Sequence, residues 1–348
     1  MTASSGSQES DRDADSLPGS GRRLLLTGAS GFVGNAIHPV LTDQGWQVRC
    51  ASRDAAAAAR KFPGRDWVDA DVADREAVVR SLDGCDAALY LVHGMASSSG
   101  DYRREEVEQA RNFIESAERA GVRRVAYLGG VTSDDEDASE HLRSRQDVGE
   151  VLRSTRVSTI ELRASMVIGH GSLSWLIVRD LAARLPVMVL PSWLKSRTEP
   201  VGIADVVAAL VGAIDLPLEG SAWFGLPGPE ILSGRQILER TADVLGRPRP
   251  LMIEVPFLSP RLSSHWVRFV TRAQWSVARE IVVGLKNDLL ARDASYWQEI
   301  GHGDRQDFAT AARAALAAEQ LEGPVPGPWG YVERTLAALP GARTEQAS

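Results

Sequence analysis

Thr27-Gly28-Ala29-Ser30-Gly31-Phe32-Val33-Gly34 is the stretch on which the reading of this chain turns. It stands directly after Arg22-Arg23-Leu24-Leu25-Leu26, a short apolar run of strand character, and opens residues 32–45, a stretch of helical character that ends at Gly45. In a GxxGxxG arrangement between strand and helix each glycine has a physical purpose. Gly28 permits the tight turn, Gly31 lets backbone amides reach a diphosphate, and Gly34 lets the helix pack closely on the strand. The helix N-terminus then faces an anion. The expectation is a dinucleotide-binding turn made of Thr27, Gly28, Ser30, Gly31, Phe32, Val33 and Gly34, set against the alternative of an ordinary strand-to-helix turn.

Outward from that turn, apolar runs alternate with stretches of helical period, a pattern that demands a parallel sheet covered on both faces. Strands are expected at 22–28, 46–53, 66–72, 86–94, 123–131 and 157–169, with helices at 32–45, 75–82, 102–121 and 139–154 between them. Pro39 falls inside the first helix, where it removes a hydrogen bond and should bend the backbone. Six strands with right-handed crossovers suit an α/β fold of Rossmann type, a doubly wound parallel sheet. Beyond Gly169 the order loosens into helices at 174–185, 203–214 and 233–246, with strands at 221–228 and 250–256. The expected organisation is a polar tail over 1–20, a dinucleotide-binding domain over 21–170, a smaller C-terminal substrate lobe over 171–339, and a second tail over 340–348.

The end of the second strand bears on cofactor choice through charge. An acidic residue there binds a ribose 2′-hydroxyl and repels a 2′-phosphate, whereas this chain reads Ala51-Ser52-Arg53-Asp54. Arg53 offers a forked donor set matched to phosphate and Ser52 adds a hydroxyl, so NADP(H) is the expected form. The competing reading turns Asp54 inward for NAD(H) and leaves Arg53 in solvent. Asp71 and Val72, at the end of the third strand, are expected to meet the adenine ring.

The 348 residues are 44% hydrophobic and 24% charged, enough for a large core and unlike a disordered or fibrous chain. A net charge of −7 with scattered cations gives nothing to attract a phosphate backbone, so no nucleic-acid partner is expected. Cys50 and Cys85 form neither a CxxC pair nor a His/Cys cluster, so neither disulfide framework nor metal site is indicated, in keeping with a reducing cytoplasm. No run approaches the roughly 20 consecutive apolar residues of a membrane span, and the first twenty residues lack the apolar stretch of a signal peptide.

Taken together these residues resemble the short-chain dehydrogenase/reductase superfamily, in its extended, epimerase/dehydratase-like form. TGASGFVG is similar to the TGxxGxxG of that family and Asp71-Val72 to its adenine contact. Residues 163–169 resemble its segment after the sixth strand, and residues 200–206 the segment placed near the substrate lobe. The resemblance runs from about residue 22 to 232. It implies that chemistry sits on the helix after strand five, where active members carry YxxxK. Here that helix reads His141-Leu142-Arg143-Ser144-Arg145, which resembles the atypical subgroup with HxxxR. Strand five ends in Gly129-Gly130-Val131 without the usual serine, and Thr132 is the nearest hydroxyl.

Residues four apart share a helical face, so His141 and Arg145 can address one pocket. A permanent guanidinium disfavours a second positive charge beside it, which should leave the imidazole neutral near pH 7 and suited to accepting a proton or polarising a carbonyl. Arg145 is then free for the ribose. The alternative makes both residues surface groups bonded to the acidic loop at Asp134, Asp135, Glu136 and Asp137. His93, after the fourth strand, borders the expected nicotinamide pocket. Trp175, Trp193, Trp223, Trp266 and Trp275 either line an apolar pocket or form plain core. Two functions follow. One is an NADP(H)-dependent oxidoreductase or isomerase acting on a small, apolar carbonyl or alcohol substrate. The other is a non-catalytic NADP(H)-binding redox sensor or assembly factor.

Overall fold

The computed structural model describes residues 17–92, 102–131, 140–191, 195–255, 287–321 and 327–337. Seven strands build the central sheet: β1 (Arg23–Leu26), β2 (Gln47–Ser52), β3 (Asp66–Asp69), β4 (Ala87–Tyr90), β5 (Arg124–Gly130), β6 (Ser158–Ala164) and β11 (Ala222–Gly225). Their order is β11-β6-β5-β4-β1-β2-β3, and the pairs β1–β2, β1–β4, β2–β3 and β4–β5 are parallel. This is the Rossmann arrangement, in which the order reverses beside β1. Leu24, Leu25 and Leu26 are fully buried, as a strand covered on both faces requires.

The connecting helices are α1 (Phe32–Asp43), α2 (Ala55–Lys61), α3 (Arg75–Leu82), α4 (Tyr102–Arg119) and α5 (Glu140–Leu152). α1 runs through Pro39 and stops where Gly45 takes a φ of +86°, a left-handed ending that glycine adopts without strain. Under α3 and α4 lies a core of Val78, Leu82, Tyr90, Phe113, Ile114 and Tyr127.

Three features differ from expectation. α2 was not foreseen. The third strand ends at Asp69, so Asp71 and Val72 lie in the turn beyond it. The sixth strand is not continuous to Gly169: it breaks at Ser165 into β6 and β7 (Met166–Ile168), and β7 pairs with β10 (Pro200–Gly202) instead of the central sheet. At the break the Ser165 hydroxyl donates to the Glu199 backbone oxygen at 3.0 Å and accepts from its amide at 3.2 Å.

The chain forms two compact units that interleave in sequence: residues 1–129, 146–162 and 207–224 make one, and 130–145, 163–206 and 225–348 the other. The second contains α6 (Leu173–Arg184), β8 (Val187–Pro191) and β9 (Arg197–Thr198), then β12 (Leu232–Ser233), α8 (Gly234–Val244) and β13 (Leu251–Val255). α9 (Ser295–Glu299), α10 (Phe308–Leu321) and α11 (Gly327–Ala337) complete it, while α7 (Ile203–Asp215) passes from the second unit into the first. The second unit has its own core around Met166, Ile168, Trp175, Ile237 and Phe308. It also holds a buried ion cluster. Arg179 meets Asp180 at 3.0 Å, Glu319 at 3.2 Å and Glu333 at 2.8 Å, while Arg184 meets Asp180 at 3.1 Å and Glu333 at 2.8 Å. No described helix is long and apolar enough to cross a membrane.

Candidate functional site

β1 delivers the chain to the glycine turn, and Thr27 fixes its height. The buried Thr27 hydroxyl donates to Leu89 O and accepts from Leu91 N, both at 3.0 Å, so β1 and β4 are locked together just below the turn. Thr27 therefore acts through the strands. Gly28 follows at a φ of +63°, and a Cβ there would be driven into the Leu91 carbonyl. A Cβ on Gly34 would collide with the Gly28 carbonyl oxygen and lie 2.8 Å from Ala29 Cα, so α1 packs directly on the backbone of the turn.

The carbonyls of the turn all point back into protein. Gly28 O accepts from Gly31 N at 2.9 Å, Ala29 O from Arg65 Nη1 at 2.9 Å, Ser30 O from Asn35 Nδ2 at 3.0 Å and Gly31 O from Asn35 N at 2.9 Å. The opening amides of α1 have no helical carbonyl to reach, its N-cap Gly31 supplies no side-chain bond, and its first turn carries no acid. Ser30 and Gly31 are exposed. An open helix N-terminus behind an exposed turn with no negative side chain fits a diphosphate.

Along β2 the acidic side chains are already engaged. Asp54 caps α2, its Oδ1 accepting from Ala57 N at 2.7 Å, and Asp69 Oδ1 accepts from Ala55 N at 2.7 Å. Ser52 Oγ exchanges bonds with the backbone of Asp54, while Arg53 is exposed. Asp71 is exposed and ties its own turn by accepting from Ala73 N at 3.0 Å, and Val72 is buried in the core. His93 and Thr132 lie outside the described residues, as do Asp134, Asp135, Glu136, Asp137, Trp193, Trp266 and Trp275.

His141 lies in the first turn of α5, and its side chain is outside what the structure describes. Arg145, one turn on, runs along the end of β5: a Cβ on Gly130 would meet Arg145 Cγ and Leu142 Cδ2, both at 3.8 Å. Both are ordinary van der Waals distances, so the Arg145 stem packs over residue 130 without needing a glycine there. Leu142 is buried against Val131 and Leu289. Trp175 is buried and edge-on to Phe308, whereas Trp223 on β11 is half-buried.

Sequence reasoning missed three groups. Arg65 reaches the glycine turn from the loop before β3. Glu161, buried on β6, pairs with Arg153 at 2.9 Å. Asp205, within residues 200–206, accepts from Gln306 N at 3.0 Å and lies 2.8 Å from His302 Nε2. Only Asp205 carried a local signal; Arg65 reaches a turn 36 residues away, and Glu161 pairs with Arg153, eight residues before it. Among the described residues no group of three or more His, Cys, Asp or Glu could hold a metal ion.

A family model described as NAD(P)H-binding matches residues 28–183. The chain is 30% identical over 234 residues to (4-alkanoyl-5-oxo-2,5-dihydrofuran-3-yl)methyl phosphate reductase of Streptomyces griseus subsp. griseus, which spans 65% of this chain and 74% of the relative. It is 25% identical over 235 residues to ceramide reductase of Caulobacter vibrioides, 67% of this chain and 73% of that one. Among solved structures it is similar in fold to the Bordetella bronchiseptica enzyme WbmG in complex with NAD. The TM-score is 0.65 at 16% identity, covering 88% of this chain and 97% of the other.

Proposed function

Because the chain belongs to the NAD(P)-binding short-chain dehydrogenase/reductase superfamily, we propose that it is an NADP(H)-dependent oxidoreductase acting on a carbonyl or alcohol of an apolar small molecule. The observation that carries the choice of cofactor is the state of the acids beside β2. Asp54 and Asp69 each commit Oδ1 to an opening amide of α2, while Arg53 remains exposed. A forked cation beside a serine suits a 2′-phosphate. The apolar substrate is supported by the alkanoyl and ceramide groups in the names of the two reductases.

When bound, the nicotinamide supplies the hydride chemistry. The chain's own residues supply binding and proton handling. Amides of the turn at residues 28–34 hold the diphosphate, Ser52 and Arg53 the 2′-phosphate, and Asp71 with the backbone of Val72 the adenine. Arg145 replaces the lysine of YxxxK and clamps the ribose. His141 replaces the tyrosine; as a neutral imidazole it accepts the proton of an alcohol or polarises a carbonyl, with His93 bordering the same end of the cofactor.

Titration of nicotinamide fluorescence with NADPH and NADH tests the cofactor. Wild type is expected to prefer NADPH, and Arg53→Asp to lose about 10- to 100-fold in NADPH affinity, the worth of a charge-assisted bond. Equal affinity of wild type for both forms would overturn the assignment. A second reading, binding without turnover, is favoured by Gly129-Gly130-Val131 standing where a catalytic serine is expected. Turnover of any compound in a carbonyl panel that falls about 100-fold in His141→Ala removes that reading.

A further inference from the structure

We propose that Glu161 is a positioning residue for the cofactor site: its buried carboxylate, seated in a notch left by Gly149, sets how closely α5 lies on the sheet and so where Arg145 stands. This rests on the reading of Arg145 as the ribose clamp. Glycine is a poor choice inside a helix, since it gives up more backbone freedom on folding than any other residue. Gly149 nevertheless falls in the last turn of α5, buried against the sheet. Its reason lies on β6.

A Cβ at residue 149 would lie 2.5 Å from Cδ and Oε2 of Glu161, well inside contact distance. The carboxylate therefore fills the space that any other residue would need. Retreat is costly. Glu161 is 1% exposed, its Oε2 accepts from Arg153 Nε at 2.9 Å, and its Oε1 lies 3.0 Å from where a Cβ on Gly129 of β5 would stand. Moved off Arg153, it would be a buried charge without its cation. A second bond ties the same end of the helix to the same strand. Thr159, two residues before Glu161 and so on the same face of β6, is fully buried and donates its hydroxyl to Leu152 O at 2.8 Å.

Arg145 and Gly149 are four residues apart and share a face of α5, so the clamp stands one helical turn, about 6 Å of rise, from the notch. Its stem packs over residue 130, the chain neighbour of Gly129. α5 is a single helix from Glu140 to Leu152, so a shift of its last turn carries Arg145 with it. To admit a methyl group at 149 with the carboxylate in place, the helix would have to rise by about 1 Å, a displacement large enough to spoil the placement of a ligand-binding group. Glu161 thus touches neither cofactor nor substrate and acts through the helix.

The alternative role for Glu161 is stability alone, as the partner of Arg153. Dependence on Arg145 separates the two. The full-length protein is titrated with NADPH by nicotinamide fluorescence, with urea unfolding in parallel, as wild type, Gly149→Ala, Glu161→Asp, Arg145→Ala, and Arg145→Ala combined with each of the other two. Each single variant is expected to weaken binding about tenfold, Glu161→Asp because its shorter side chain leaves the notch open. In the Arg145→Ala background the other two substitutions are expected to cost less than about 2-fold more. Glu161→Asp decides the matter if Gly149→Ala does not fold. Undiminished affinity in the folded variant, or a loss that repeats in full without Arg145, overturns the proposal while leaving the ribose clamp in place. An Arg145→Ala protein that binds NADPH as wild type does removes the clamp and the proposal together.

Discussion

Gly34 and Gly21 differ in what a methyl group would meet, and the difference can be measured. Gly34 sits in the first turn of α1, where a Cβ would be forced onto backbone atoms of Gly28 and Ala29 that cannot step aside. Gly34→Ala is expected to destabilise the protein by about 1 to 3 kcal/mol, as overpacking does, and to weaken NADPH binding at least tenfold because the turn must shift. Gly21 has a φ of +71° with nothing near its Cβ, so Gly21→Ala should cost about 1 kcal/mol of backbone strain and leave NADPH affinity unchanged. Urea unfolding with a parallel fluorescence titration checks both, and equal affinity losses would contradict this account. The glycines were legible in the sequence because their function is local: turn, amides and helix start all fall within eight residues. Arg65 was not, because its partner Ala29 is 36 residues away and only the folded chain brings them together.

At the level of single elements, α2 shows how a short helix is specified by its ends. Its seven residues contain an alanine run with no apolar periodicity to announce it, yet Asp54 and Asp69 satisfy its opening amides and Arg60 and Lys61 occupy its last turn. Asp54→Ala should lower stability by about 1 kcal/mol, the usual worth of a cap, and raise NADPH affinity a few-fold by removing a negative charge beside Arg53. A variant that binds NADPH more weakly would show that Asp54 serves the cofactor directly. The remaining strands of the first half were readable because buried parallel strands are near-continuous apolar runs. The break at Ser165 was not, since no glycine or proline marks it and the hydrogen bond found there reaches Glu199, 34 residues on. β11 reads as an ordinary short strand, and its place beside β6 is set by tertiary pairing.

Across the whole molecule, the second unit depends on charges far apart in sequence. Burial opposes ionisation of Glu333, but Arg179 and Arg184 hold its carboxyl below the usual carboxylate range. A depressed carboxylate stabilises the fold above its unfolded value, 4.5, and that contribution is lost as pH falls through the lower folded value. Glu333→Gln is therefore expected to destabilise the protein by about 3 kcal/mol at pH 7, because it leaves the fully buried Arg184 undercompensated, and the gap from wild type should close below pH 4.5. Thermal unfolding across that range checks the sign; a gap that persists at acid pH would mean the loss is one of packing.

The polypeptide passes from one compact unit to the other after residues 129, 145, 162, 206 and 224. No single cut in the gene therefore frees either body from segments of the other. A product ending near 170 retains the phosphate turn but lacks the strand that covers the outer edge of β6, leaving a row of unpaired peptide groups ready to recruit a neighbouring chain.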